Sequence, residues 1–203
     1  MPEEKVSYYE DFNEIEKKIW SLLTNAVKDR RSEFRTPVFI CGNDKDLDGR
    51  VVVLRKADQE NNFIQYHSDI RSSKIEKIKK NPSCSILFYG KEEKIQLRLK
   101  IDCEINYNNE VTKESWDKTG HISRKCYLVT DGPGTFSKKP TSGLNGKFDN
   151  FDFTKEESEH GYKNFCVVKC KIKSIEWLYL AAKGHRRALI DLNGSKKFNW
   201  LVP

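Results

Sequence analysis

The chain has 203 residues, with 37 Lys and Arg against 30 Asp and Glu, a formal net charge of +7. This length suits a single domain, and charged residues at 33% with aromatics at 11% describe a water-facing chain able to build a core. There is no run of about 18 apolar residues, which excludes a helical membrane span. The lysines are spread without a long block, so the basic balance reads as solvated surface rather than a nucleic-acid tail.

The opening Met-Pro-Glu-Glu-Lys lacks the basic-then-apolar pattern of a signal peptide, and a cytoplasmic location is expected. Residues 11–29 predict an amphipathic helix, with Phe12, Ile15, Ile19, Leu22, Leu23 and Ala26 at helical spacing. Residues 36–41 predict a short strand, 42–49 a turn and 50–55 the next strand, together a hairpin. A polar turn at 58–62 leads to a third strand at 63–67. Ser72 or Ser73 opens a short helix that turns Ile75 and Ile78 inward and stops at Asn81-Pro82. A buried strand at 83–89, a turn at 90–94 and a long, partly alternating strand at 95–105 follow.

Residues 111–118 predict a helix containing Trp116. Residues 130–161, rich in Gly, Ser, Pro, Asn and Lys, read as a long irregular insertion within one domain spanning 1–203. A long strand at 165–180 precedes a last hairpin, 187–191 with 198–202. Seven to nine strands joined by short polar turns make a mainly β fold with peripheral helices, and closing the antiparallel sheet into a barrel would hide its edges. The six cysteines are scattered and expected to be free thiols. Cys166 and Cys170 have one residue too many between them for a metal knuckle and share a strand face, so no metal site is expected. Four His and one Met leave little material for haem ligation.

The chemistry-bearing residues concentrate between 50 and 98. Arg50-Val51-Val52-Val53-Leu54-Arg55 is followed by His67 and Ser68, by Asp69-Ile70-Arg71-Ser72-Ser73-Lys74 at a helix start, and by Gln96. Taken singly, the arginines are strand-end charges, the serines a helix cap, and Trp177 a core residue. Taken together they offer cations, hydroxyls and a helix N-terminus, which is how proteins hold a phosphate. Arg50 and Arg55 are five apart, which on a regular strand places them on opposite faces. Arg50 or Arg71, with Lys74 and the hydroxyls of Ser72 and Ser73, could hold the phosphate of a flavin mononucleotide. Gln96 could meet the ring edge, and Trp177 with the valines of 50–55 could border the ring.

This ordered set resembles the flavin-binding half of the pyridoxamine 5'-phosphate oxidase family, in the branch with Asp-x-Arg-Ser-x-Lys, here Asp69 to Lys74. Arg50 to Arg55 matches the family's Arg-x-Val-Leu-Leu-Lys strand, Ser72-Ser73-Lys74 its Ser-Arg-Lys turn, and Trp177, His185 and Arg187 a C-terminal Trp, His and Arg. The resemblance implies a split β-barrel that dimerises, with FMN at the subunit interface. It implies phosphate contacts from Arg50, Ser73 and Lys74, further contacts along 50–55 and at His67 and Ser68, a ring contact from Gln96, and completion by Trp177 and Arg187 from the partner chain.

Ser73 stands where oxidases usually carry Arg, and Arg71 would compensate. Trp116, Lys118, Ser123 and Arg124 are loose counterparts of the residues that hold the vitamin's phosphate. The implied function is that of an FMN-dependent oxidoreductase with an unassigned substrate, needing neither nucleic acid nor membrane. The alternative is a non-catalytic flavin-binding or stress-related module. His185 is either a catalytic residue or a polar residue in the turn before the last hairpin.

Overall fold

A computed structural model describes residues 10–203, so the Met-Pro-Glu-Glu-Lys opening read for a leader lies outside the described residues. Helix α1, Phe12–Lys28, starts at Asp11, whose carboxylate accepts the Glu14 N–H at 2.9 Å. Its stripe of Ile15, Ile19, Leu23 and Ala26 is fully buried, as the helical spacing requires. Nine strands follow: β1 (Val38–Asn43), β2 (Asp46–Val51), β3 (Leu54–Asp58), β4 (Phe63–Asp69), β5 (Ser83–Gly90), β6 (Ile95–Asn106), β7 (Phe165–Tyr179), β8 (Arg186–Asp191) and β9 (Lys197–Leu201). Helix α2, Ser73–Lys80, lies between β4 and β5, and helix α3, Glu110–Asp117, follows β6. Among the described residues, no helix is long and apolar enough to cross a membrane.

The described strands pair antiparallel in one sheet whose main path runs β2-β1-β5-β6-β7-β4-β3, with β8 paired to β7 and β9 to β8. The 15-residue β7 organises it. One edge of β7 pairs with β6. The other pairs first with β4, from Phe165↔Asp69 to Lys171↔Phe63, and then with β8, from Ser174↔Asp191 to Tyr179↔Arg186. Strands β4 and β8 thus lie end to end against a common neighbour, which splits the sheet.

Two expectations are corrected here. Residues 50–55 are not one strand. Val52 still donates to the Pro37 carbonyl at 3.0 Å beside β1, and the chain then leaves for β4, so β2 ends at Val51 and β3 begins at Leu54. A register shift between Leu54 and Lys56 puts Arg55 at a bulge, and the odd-separation argument for Arg50 and Arg55 does not hold. Likewise the turn expected at 42–49 narrows to Asp44 and Lys45, because β1 and β2 pair as far as Asn43↔Asp46. The two ends of the path, β2 and β3, are therefore consecutive in sequence. The chain passes from one edge of the sheet to the other through Val52 and Val53, and no strand pairing closes the sheet among the described residues.

The pleat of β6 separates inside from outside. Ile95, Leu97, Leu99, Ile101 and Cys103 are buried, and Gln96, Arg98, Lys100, Asp102 and Glu104 alternate on the opposite face. Trp177, expected beside a ring, is 0% exposed in this main core, opposite Leu97 and Ala188. A second cluster gathers Trp116, Tyr127, Phe165 and Val167. Buried Arg124 pins it: its guanidinium lies over the Trp116 ring, donates to the carbonyls of Trp116 and Thr119, and pairs with Glu159. The 130–161 segment is largely irregular, as expected, with two one-turn helices, α5 (Gly146–Asp149) and α6 (Lys155–Ser158). Another one-turn helix, α4, spans His121–Arg124.

Candidate functional site

The N-terminus of α2 is where the cations converge. Ser72 is its N-cap by backbone geometry, yet no side chain caps the helix. The Ser72 hydroxyl instead accepts from Lys74 Nζ at 2.9 Å, and Lys74 also donates to the Ser68 hydroxyl at 2.7 Å. From β2, Arg50 reaches over the same spot, with Nη1 3.5 Å from Ser72 Oγ and Nη2 3.4 Å from Ser73 Oγ. Arg50 also pairs with Asp48, and its Nε is buried with no hydrogen-bond partner. Burial first, and then the Arg50 charge, push the Lys74 pKa below the ordinary lysine value. Two cations pressed together over hydroxyls and an uncapped helix end are the kind of donor set that could receive a phosphate. The donor set fits the phosphate of FMN: Arg50, Lys74, Ser68, Ser72 and Ser73 would hold it.

Arg71 takes a different path from the one expected. Its backbone N–H and Nε donate to Asp69 Oδ1 at 2.8 and 3.0 Å, and its Nη2 to Asp69 Oδ2 at 2.7 Å. Nη2 also donates to the Val129 carbonyl at 3.2 Å, and Nη1 to the Thr130 carbonyl at 3.0 Å. It ties the start of the long insertion to the β4–α2 turn, and among the described residues its hydrogen bonds are made there rather than to the cradle side chains. The pairing had a signal in the sequence: an Asp two residues before an Arg, in the pattern of an Asx turn. Asp48, the partner of Arg50, stands at the same two-residue spacing before its arginine.

Leu54 and Val52 are buried, Val53 is half-buried, and Val51 is 62% exposed on the outer face of the sheet. Arg55 and His67 stand beyond the strand break, on the wall of a separate groove of about 530 Å³, and Arg55 Nε is buried without a partner. Of the loose counterparts, Lys118 and Ser123 line this groove, whereas Trp116 and Arg124 are buried in the second cluster.

Gln96 and Arg187 occupy one cross-strand row on the outer face, Tyr89–Gln96–Leu178–Arg187. There Arg187 Nη2 pairs with Glu176 at 2.9 Å, and Arg98 Nη1 approaches the same carboxylate at 3.3 Å. The structure thus forms two groups within one chain: the cradle at α2, and Gln96 with Arg187 on the sheet's outer face. Trp177 belongs to neither. His185 is an exposed turn residue whose Nδ1 accepts the Ala181 N–H at 3.1 Å.

His67 makes the site acid-sensitive. Burial, with the Arg55 charge as a second cause, lowers its pKa from 6.5 to about 3. In the window between those values the unfolded chain binds a proton that the folded chain refuses, so stability falls as pH drops from 6.5 toward 3. Thermal melts across this range should show the loss, and His67→Gln should flatten that part of the profile. An unchanged slope in the variant would mean that other groups carry the acid sensitivity.

Among the described residues, no group of three or more His, Cys, Asp and Glu is placed to hold a metal. Residues 17–106 match the family model described as pyridoxamine 5'-phosphate oxidase, FMN-binding domain. No curated protein matches the sequence. Solved structures share the fold. A pyridoxamine 5'-phosphate oxidase-related, FMN binding protein from Nostoc punctiforme PCC 73102 is 17% identical, with 92% of this chain and 96% of that chain covered and a TM-score of 0.74. PhzG from Burkholderia lata 383, solved in complex with tetrahydrophenazine-1-carboxylic acid, is 14% identical, with 99% and 98% covered and a TM-score of 0.73. ChuZ from Campylobacter jejuni is 14% identical, with 94% of this chain and 64% of that chain covered and a TM-score of 0.53. The stretch matched by the family model ends with β6 and encloses β2, β4 and α2, and so carries every residue of the Arg50–Lys74 cradle. Residues 17–106 thus match the FMN-binding domain of the pyridoxamine 5'-phosphate oxidase family, and the chain shares the split-barrel fold of these solved structures.

Proposed function

We propose that the protein is an FMN-dependent oxidoreductase that works as a homodimer in the cytoplasm, where six free thiols are stable. The observation that carries this reading is the convergence of Arg50 and Lys74 on the Ser72 hydroxyl at an uncapped helix end. When bound, the flavin supplies hydride exchange with a substrate. The chain's part is to neutralise the phosphate with two cations, to orient it through three hydroxyls, and to wall the site with the buried valine and leucine of the β2–β3 crossing.

The dimer half of the proposal rests on the separation of the two groups. Gln96 and Arg187 lie on a sheet face whose Val51 and Leu47 are 62% and 70% exposed, with Tyr89 also exposed there. A second copy packed on that face would cover these side chains and deliver its own Gln96 and Arg187 toward this chain's cradle. The test is an absorbance scan of purified protein with FMN added, followed by anaerobic mixing with a nicotinamide donor and re-exposure to oxygen. The expected result is stoichiometric bound flavin that is reduced and then reoxidised. Colourless protein that takes up no FMN would sink the proposal at its root, and flavin that binds but is never reduced would remove the oxidoreductase half.

A further inference from the structure

The long insertion stands on the turn that carries the cradle. Asp69, Ile70 and Arg71 are bracketed in the chain by cradle groups, with Ser68 before them and Ser72, Ser73 and Lys74 after. The Ser72 N–H closes this turn on the Asp69 carbonyl at 3.1 Å. One end of the insertion lands here through the Arg71 guanidinium, which donates to the Val129 and Thr130 carbonyls while both Asp69 carboxylate oxygens hold it from behind. The other end lands one residue earlier, where the Ile70 N–H donates to the Asn164 carbonyl at 2.8 Å. Buried Asn164 joins the two ends by donating Nδ2 to the Tyr127 carbonyl at 2.8 Å. Within the insertion, the Thr130 N–H donates to the Gly143 carbonyl at 2.9 Å, which pinches off residues 131–142 as a loop with Phe136 fully exposed. Gly132 packs on the arginine: a Cβ added there would lie 3.2 Å from Arg71 Cβ. A long segment held at both ends by three residues shares its order with them, so what fixes the turn also fixes the insertion.

We propose that Arg71 is a positioning residue for the flavin phosphate: without touching it, and through the Asp69–Ser72 turn, Arg71 couples the fold of residues 129–143 to the aim of Ser68, Ser72, Ser73 and Lys74. The proposal rests on the flavin reading for the identity of the ligand, and the coupling is a property of this chain's own contacts. A phosphate that locks the hydroxyls also locks the turn, the Arg71 fork and the two carbonyls it holds, so the insertion tightens when the nucleotide binds. Reciprocity then requires that loosening the insertion weakens nucleotide binding by the same factor. The planar guanidinium suits this task because it meets one carboxylate and two successive carbonyls at once, which the single nitrogen of a lysine does not.

The experiment is hydrogen exchange of the full chain with and without FMN, paired with fluorescence titration of FMN. In the wild type, FMN should slow exchange across 129–143 about tenfold. Arg71→Met should lower FMN affinity about tenfold and abolish that protection, with Arg71→Lys between the two. Gly132→Val changes the insertion and no cradle residue, yet should weaken FMN binding in the same direction. Lys138→Gln on the exposed loop should change neither readout. A direct Arg71–phosphate contact would read differently, because its loss would flatten the dependence of FMN affinity on salt, whereas a positioning role leaves that slope as in the wild type. Wild-type affinity in both Arg71→Met and Gly132→Val, protection of 129–143 that survives Arg71→Met, or a flattened salt slope would each overturn the proposal. If the protein takes up no FMN, the flavin reading fails by itself, and millimolar inorganic phosphate becomes the probe in the same exchange measurement. Absence of protection by phosphate would then overturn the coupling as well.

Discussion

Lys74→Glu is expected to abolish flavin retention. In the wild type, Lys74 Nζ is held at 2.7 Å from Ser68 Oγ and 2.9 Å from Ser72 Oγ, aimed at the same spot as Arg50. A carboxylate at this position would repel the incoming phosphate. It would also pair with Arg50, closing the cradle from within. Losing a half-buried cation that contacts a dianion and placing an anion there should cost about 3 kcal/mol or more, at least a hundredfold in affinity. Fluorescence titration with FMN reads this directly, and Lys74→Met should fall between wild type and Lys74→Glu. Circular dichroism should be unchanged, because Lys74 is on the first turn of α2, away from Ile75 and Ile78, which anchor it. Affinity equal to wild type in Lys74→Glu would place the phosphate elsewhere.

Trp177→Ala should instead destabilise the whole chain. Trp177 is 0% exposed near the C-terminal end of β7, paired with Leu97 on one side and Ala188 on the other, and its ring stacks near Tyr179 with centroids 6.2 Å apart. Truncating a fully buried Trp leaves a cavity and costs about 3–5 kcal/mol, a large share of the roughly 5–15 kcal/mol that holds a domain together. Denaturant unfolding should show a lower midpoint. Trp177→Phe should recover much of the loss, because the buried indole Nε1 has no hydrogen-bond partner to forfeit. The pair of variants separates a core role from a ring contact. If Trp177 bordered the flavin directly, Trp177→Phe would perturb the flavin spectrum at nearly unchanged stability.

Local periodicity carried much of the fold. The stripe of α1, the Ile75 and Ile78 pair with the Asn81-Pro82 stop, and the alternation of β6 each reflect a side-chain pattern repeating within one element. The cradle was legible for a related reason. Ser68, Ser72, Ser73 and Lys74 lie within one turn and one helix start, and Arg50 follows a hairpin whose register is short-range. The reading of 50–55 as one strand failed because an apolar run does not show where a chain changes partners. Only the competition of β1 and β4 for that run decides it.

By itself the sequence determined the mainly antiparallel β composition, the bounds of α1, α2 and α3 to within a residue or so, and the clustering of hydroxyls and a lysine at the β4–α2 turn, since each depends on neighbours a few residues away. The tertiary structure decided which way side chains at the ends of long strands face. Along β7 a shift of one residue exchanges Trp177 for Leu178 between core and outer face, and apolar residues on both faces leave that parity open until β6 and β8 pair with it. It also decided that Arg71 serves the Val129 and Thr130 carbonyls rather than the cradle, and that Arg30, Arg55 and Lys169 share one groove. Those meetings join residues far apart along the chain, and no local pattern encodes them.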